Sequence, residues 1–121
     1  QGFSYQYKVV NKCVLKIVRT SLSVIHQEAF CDNNQLIFAR IPNAVRIEQF
    51  AFESCNQLGE VEGDKIQVVE KAAFGYCSNL VSINLENAAD IGENAFNACY
   101  SLDNVNLTSV QLLADDAFRT C

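Results

Sequence analysis

The amino-acid sequence predicts a β-rich solenoid, in which the chain winds through stacked copies of one short unit. The main observation is a dipeptide that returns at a fixed interval. Ala-Phe recurs every 22 residues without any insertion, with its ring at Phe30, Phe52, Phe74, Phe96 and Phe118. A fixed period of roughly 20 to 50 residues indicates units that can bury their apolar faces only against their neighbours.

Other columns of residues keep the same step, which excludes chance as the origin of the Ala-Phe pairs. Cys or Asn stands three positions after each Phe, Leu six, and a small or β-branched residue nine, while an aliphatic residue precedes each Phe by five. The columns are Asn33, Cys55, Cys77, Cys99, Cys121; Leu36, Leu58, Leu80, Leu102; Ala39, Val61, Ile83, Val105; and Ile25, Ile47, Val69, Ile91, Leu113. Each coil therefore contains Cys-x-x-Leu-x-x-Ile-x-Leu.

The end of this coil pattern predicts a short strand. Apolar residues alternate there with a period of two, which places them on one side of an extended chain. Corresponding strands of successive coils should pair into a parallel sheet. The Phe rings should then stack about 4.7–4.9 Å apart, a separation at which offset rings attract one another, and each buried ring should contribute roughly 1.5–3 kcal/mol.

The chain divides into two parts without a linker. Residues 1–18 alternate as two strands around Asn11-Lys12 and predict an N-terminal β-hairpin cap, because the open end of a solenoid exposes core and unpaired strand edges. Residues 14–121 form the array of about five coils. The second hairpin strand should merge into it, since Val14 and Ile17 lie 22 positions before Leu36 and Ala39.

Composition agrees with one small domain and narrows the function classes. Half of the 121 residues are hydrophobic and the formal net charge is −5. No apolar stretch is long enough to cross a membrane, so we expect no membrane insertion, and no signal-peptide pattern is present. The acidic balance and the scattered Lys and Arg argue against a nucleic-acid partner, whose phosphates require a basic surface.

The repeat now carries a family resemblance. The run Cys-Ser-Asn-Leu-Val-Ser-Ile-Asn-Leu from Cys77 to Leu85, followed by Ala95-Phe96-Asn-Ala-Cys99, resembles the BspA-like leucine-rich repeat, and Ile41-Pro42 matches the Ile-Pro that commonly ends its strand. The resemblance covers about residues 14–121. It implies a right-handed leucine-rich-repeat superhelix with a parallel concave sheet. It also implies a non-enzymatic module, secreted or on a cell surface, that adheres to proteins or cells.

The six cysteines have two interpretations. Four of them occupy the column three positions after Phe, and a column of inward Cys is most simply a buried ladder of small apolar side chains. Bridges between adjacent rungs are disfavoured because parallel Cβ vectors fit the disulfide torsion poorly. Cys13 and Cys31 lie outside the column and are the best pair if a disulfide forms.

A search for catalytic, cofactor and metal motifs identifies none. His26 is the single histidine and stands where other coils have Glu48 or Gly92, so it reads as a solvated loop residue. No phosphate loop, nucleophile elbow or Cys-x-x-Cys motif is present, and we expect neither a cofactor nor an enzyme activity. The acids near Glu60 could converge on calcium, but spaced acids on a strand are more often solvated.

The residues not required by the repeat define the candidate binding site. The outward strand positions, 8, 10 and 12 after each Phe, should line the concave sheet. They are Lys16, Val18, Thr20; Phe38, Arg40, Pro42; Glu60, Glu62, Asp64; Ser82, Asn84, Glu86; Asn104, Asn106, Thr108. An exposed Phe beside an Arg has the composition of an interface anchor. Asn106-Leu107-Thr108 is also a glycosylation sequon, relevant only to a secreted eukaryotic protein.

Two functions remain open. The first is an interaction or adhesion module whose concave sheet binds a protein or glycan partner. The second is a structural or assembly domain of a larger surface protein that associates through its solenoid end. The last coil leaves Leu102, Val105 and Leu107 thinly covered and a sheet edge at 104–108 unpaired, so we expect either further repeats or an end-to-end homodimer.

Overall fold

A computed structural model describes residues 16–121 and shows a parallel β-solenoid without helices in that range. Each coil contributes a strand to one or both of two sheets. The strands are β1 (Ile17–Arg19), β2 (Val24–Ile25), β3 (Phe38–Arg40), β4 (Arg46–Ile47), β5 (Glu60–Glu62), β6 (Val68–Val69), β7 (Ser82–Ile83), β8 (Asp90–Ile91) and β9 (Leu112–Leu113). The first sheet has the order β1-β3-β5-β7 and the second β2-β4-β6-β8-β9. All pairs are parallel, which confirms the predicted fold class.

The repeat columns form the core, as the sequence predicts. The aliphatic column of the second sheet is fully buried from Ile25 to Ile91. The Phe rings stack in one continuous pile from Phe30 to Phe118, with neighbouring centroids 5.0–5.3 Å apart. This separation slightly exceeds the strand spacing expected from the sequence. Nearly parallel rings therefore continue the contact between coils where no sheet is present.

A third ladder of backbone hydrogen bonds joins the coils beside the Phe pile. The Phe74 N–H donates to Ala95 O at 2.8 Å, and equivalent bonds recur in the other coils. Tight four-residue turns produce this path, and their third residue has a φ between 53° and 63° although none is glycine. These residues are Glu28, Phe50, Ala72, Asn94 and Asp32, Ser54, Tyr76, Ala98, Thr120. Positive φ at such a position is usual for Gly or Asn, so the sequence carried little signal for these turns.

The register of the first coil differs from the sequence prediction. Ile17 pairs with Phe38 and Val18 with Ala39, a step of 21 residues. Ser23 then accepts a hydrogen bond from Val45, which restores the step of 22. One residue is missing from the turn after Thr20. The prediction that Ile17 matches Ala39 was therefore wrong, because both registers place an aliphatic residue in the core.

This shift corrects two residues predicted for the outward face. Val18 was expected to point outward, but it is fully buried, and Thr20 is 8% exposed. Ile17 and Arg19 take the outward places instead, and both are exposed. Lys16 is exposed, yet its carbonyl accepts from Ile37 N–H, so it lies one position before the outward strand residues. The predicted cap at 1–18 and the partner Cys13 fall mainly or wholly outside the described residues.

The fifth coil does not extend the first sheet. Residues 104–106, expected to form its last strand, are not in a strand, and the described contact to the preceding coil is the hydrogen bond from Asp103 N–H to Val81 O. Val105 and Leu107 still pack against the core while partly exposed. With no sixth layer of side chains on them, they do not hold the segment at sheet register, and β7 forms the edge.

Gly63 and Ile66 exchange volume within one coil. Neighbouring coils place a large residue and then Ala at these positions, as Ile41 with Ala44, whereas here Gly precedes a fully buried Ile. A Cβ on Gly63 would lie 2.6 Å from the Ile41 carbonyl oxygen, so the backbones approach too closely for a side chain. The thinner core expected at Gly63 is thus corrected, because Ile66 fills the layer.

We expect the substitutions Gly63→Leu and Ile66→Ala to couple favourably. Ile66→Ala alone should lower the free energy of unfolding by about 2–5 kcal/mol, since it leaves a cavity. Gly63→Leu alone should also destabilise because of the close backbone approach. The double variant restores the large-then-Ala arrangement of the adjacent coils, so urea denaturation should give a loss smaller than the sum. Combining Gly63→Leu with the distant Ile91→Ala is the control, where the losses should add. Additive losses in both pairs would contradict volume exchange.

Candidate functional site

The outward side of the first sheet is the candidate site, and we call it the concave face. Alternation along β1, β3, β5 and β7 turns one residue of each strand inward and its neighbours outward. In two parallel rows the face presents Ile17, Phe38, Glu60, Ser82 and Arg19, Arg40, Glu62, Asn84. All are exposed except Phe38, which is half-buried. The main chain needs none of these side chains for its ladder.

Charge is segregated along the concave face. Arg19 and Arg40 are paired positions on β1 and β3, with Lys16 nearby, while β5 carries Glu60 and Glu62. At the boundary the Arg40 Nε lies 3.2 Å from a Glu62 carboxylate oxygen. Both side chains are more than half exposed, so water screens the pair and it contributes little to stability.

Two shallow pockets lie on this face and share Arg40 and Pro42. The first has a volume of about 370 Å³ and extends from Arg40 across Glu62 and Gly63 to Asn84. The second, about 310 Å³, is lined by Arg19, Thr20, Ser21, Arg40 and Pro42. The absence of a side chain at Gly63 and the shortened first turn thus coincide with the two depressions. Both are open, as expected for a surface that contacts a macromolecule rather than enclosing a small substrate.

Beyond the strands, the remaining predicted site residues are exposed at the same side of the coils. These are Asp64, Glu86, Asn104 and Asn106. The Asn84 side-chain oxygen accepts the Glu86 N–H at 2.9 Å, and Asn106 accepts the Thr108 N–H at 3.0 Å and its hydroxyl at 2.7 Å. Both are local turns that end the strand path. Their oxygens are therefore engaged, and what each amide offers a partner is its NH₂ group.

The acidic residues do not assemble into a cation site in the described part of the chain. Among residues 16–121 no group of three or more His, Cys, Asp or Glu side chains could hold a metal ion. Outside the concave face, His26 is exposed and lies 3.6 Å from Glu48, whose carboxylate also accepts the Gln27 N–H. Glu70 binds the Gln49 N–H in the same way one coil later. These carboxylates cap backbone groups and support the coil stack.

The Cys column is a ladder of buried thiols linked to the Phe pile. Each Sγ donates to the carbonyl oxygen of the Phe 25 residues earlier, at 3.0–3.2 Å. The donors are Cys55, Cys77, Cys99 and Cys121. Asn33 occupies the first rung, where its side-chain nitrogen and oxygen are buried and have no hydrogen-bond partner. The thiols thus satisfy a carbonyl in each coil, a role that burial of a small apolar side chain alone does not include.

Burial also controls how these thiols ionise. It raises the pKa of Cys77 well above its ordinary value, with neighbouring thiols adding to the effect, and it raises the pKa of Cys99 to about 12. The Cys121 pKa is raised to a smaller degree in a more open setting. A buried thiol with a raised pKa is a poor nucleophile, so the column is structural.

Comparison with known proteins identifies the repeat. The model of the BspA type leucine rich repeat region matches residues 4–121 in six copies. Curated proteins give no significant match. A leucine-rich repeat protein from Bacteroides ovatus has a similar fold, with a TM-score of 0.60 and 24% identity over 75% of this chain and 33% of that one.

The T. pallidum leucine-rich repeat protein is a second structural neighbour. Its TM-score is 0.54, with 21% identity over 73% of this chain and 51% of that chain. The present chain thus spans about a third and about half of the length of these two proteins. At this identity the likeness concerns the fold.

The thiol ladder predicts loss of stability in alkali. The unfolded thiols release their protons near pH 8.5, whereas the folded ones hold them to higher pH, so the folded state binds more protons as pH rises. The free energy of unfolding should therefore be fully supported below about pH 8.5 and fall progressively toward pH 12.

A double variant isolates this effect. Ser at Cys77 and Cys99 retains a hydrogen-bond donor but does not titrate in this range. Urea denaturation under reducing conditions from pH 7 to pH 10.5 should show a shallower decline for this variant than for the wild type. Equal slopes would show that the column thiols do not cause the alkaline loss.

Proposed function

Because the chain belongs to the BspA-type leucine-rich-repeat family, we propose that it is a non-enzymatic interaction module whose concave face binds a partner protein. The observation that carries this proposal is the separation of roles within each strand. Inward residues such as Ala39 and Val61 build the core, while the outward ones are exposed and unnecessary for the stack. Repeat proteins use surfaces of this kind for extended contacts.

The chemistry of the face favours a protein over a neutral glycan. Arg40, Glu60 and Glu62 lie beside the half-buried Phe38, and Arg and aromatic residues are enriched among the anchors of protein interfaces. Rows of opposite charge orient a charged partner and speed its encounter. A surface or secreted location and a role in adhesion are part of this proposal and are supported by the family membership. The described residues contain no helix that could cross a membrane.

A second candidate is assembly through the C-terminal end of the solenoid. Leu113 occupies the aliphatic column that is buried from Ile25 to Ile91, yet it is 50% exposed, and Leu112 beside it is 64% exposed. Phe118 and Val110 at the same end are only partly buried. A two-fold contact between two such ends would cover these side chains and continue the pile of rings.

We expect substitutions on the concave face to abolish selected binding without affecting the fold. The wild-type protein would be panned with a random peptide display library, and each enriched clone would be tested against Phe38→Ala and Arg40→Glu. Most clones should lose about tenfold or more in affinity, since anchor residues contribute most of the binding energy. The control is Lys71→Glu, an exposed residue outside both sheets with the same change in charge. Clones that bind all variants equally would contradict the proposed function.

End association predicts a concentration-dependent dimer. Sedimentation at micromolar concentration should show self-association of the wild type that Leu113→Glu removes, because a carboxylate cannot be buried in an apolar contact without a partner. Val81→Glu is the matched control, as Val81 is similarly exposed but distant from the end. A strictly monomeric wild type would exclude this candidate for the chain.

A further inference from the structure

We infer that the N-terminal half of the concave face, from β1 to β3, binds an extended acidic peptide segment that carries aliphatic side chains. This inference rests on the proposed function and specifies the partner's chemistry. It depends on the register of the first coil, which replaces Lys16 and Val18 by Ile17 and Arg19 on the face. The predicted mixture of rows thereby becomes one apolar row next to one cationic row.

The apolar row is formed by paired residues. Ile17 is opposite Phe38 in the ladder, and Ile37, which precedes Phe38, is 50% exposed at the same end of the strand. Ile17 is itself 45% exposed. Aliphatic and aromatic side chains at adjacent positions of paired strands form a continuous surface. That surface fits an aliphatic side chain of a partner, and burial of such a group from both sides is favourable.

The cationic row requires an anion. Arg19 and Arg40 are opposite one another in the ladder, and like charges at paired positions are unfavourable. Both line the pocket that also contains Thr20 and Ser21. A partner carboxylate in this pocket would relieve the repulsion and form hydrogen bonds with planar guanidinium groups. The pocket lies beside the apolar row, so one extended segment with alternating side chains can reach both.

The acidic half of the face limits where such a segment lies. Glu60 and Glu62 on β5 repel carboxylates, which confines an acidic peptide to β1 and β3. Glu62 also competes directly, because its carboxylate already contacts Arg40 at 3.2 Å. Removing the Glu62 charge should therefore strengthen binding of the acidic peptide, a direction opposite to that expected if Glu62 were part of its binding site.

Synthetic peptides test the inference in the whole chain. The probe is a fluorescein-labelled peptide of alternating Leu and Glu, compared with versions in which Lys replaces Glu or Ser replaces Leu, and binding is followed by fluorescence anisotropy. We expect both changed versions to bind about tenfold more weakly or not at all, equivalent to about 1.4 kcal/mol or more. Arg40→Glu and Ile17→Ser should weaken the Leu/Glu peptide similarly, and added salt should weaken it further.

A pair of single charge removals provides the decisive comparison. Glu62→Gln should strengthen binding about twofold to fivefold, the range set by release of an exposed ion pair. Glu86→Gln changes the net charge equally but does not contact Arg40, so it should have a clearly smaller effect. Equal strengthening by both would indicate net charge alone and would overturn the assigned site.

The outcomes separate this inference from the proposed function. If the Leu/Glu peptide binds no better than the Lys or Ser versions, while displayed clones still depend on Phe38 and Arg40, the acidic partner is excluded and the interaction module remains. If neither the peptide nor any clone depends on the concave face, both proposals fail. Circular dichroism of each variant confirms that loss of binding reflects the surface and not unfolding.

Discussion

The structure depends on the alignment of each coil with the next. A single coil has strands of two or three residues and cannot bury its own apolar side, so every core contact and most backbone hydrogen bonds are made to a neighbour. A step of 22 residues keeps three ladders in register at once: the first sheet, the second sheet and the turns beside the Phe pile. An insertion in one coil would misalign all three, which explains why the Ala-Phe interval is invariant from Phe30 to Phe118.

The Phe and Cys columns satisfy this alignment together. A ring pile alone is tolerant of small shifts along the stack, since offset arrangements of different overlap have similar energies. The thiol bond from Cys77 to the Phe52 carbonyl connects each coil to the preceding ring's own backbone at 3.2 Å. Hydrogen bonds depend steeply on distance and angle, so the ladder selects one arrangement of the pile. Asn33 begins the ladder with an amide that is buried without a partner, where a thiol would have fewer polar atoms to satisfy.

The periodic part of the fold could be predicted because its signal is additive over five coils, and the parallel sheets, the Phe pile and the buried columns follow from it. Departures within one coil had no such support. A missing residue after Thr20 leaves an aliphatic residue in the core in either register, so the pattern did not distinguish Val18 from Ile17. The turns with positive φ occur at Glu28, Phe50 and Ala72, which share no side-chain property. Whether Val105 completes a strand depends on what lies beyond it, which is a tertiary effect.

The same separation determines where function can vary. Inward positions are constrained by two neighbours each, whereas the outward partners of Ala39, namely Phe38 and Arg40, are limited only by the side chains beside them on the sheet. One deleted residue in the first turn exchanges the outward pair Lys16 and Val18 for Ile17 and Arg19 and leaves the core intact. A solenoid can thus acquire a new surface chemistry through a change of register at its end, without replacing any surface residue. A deletion in an interior coil has no equivalent effect, because both of its neighbours hold the step.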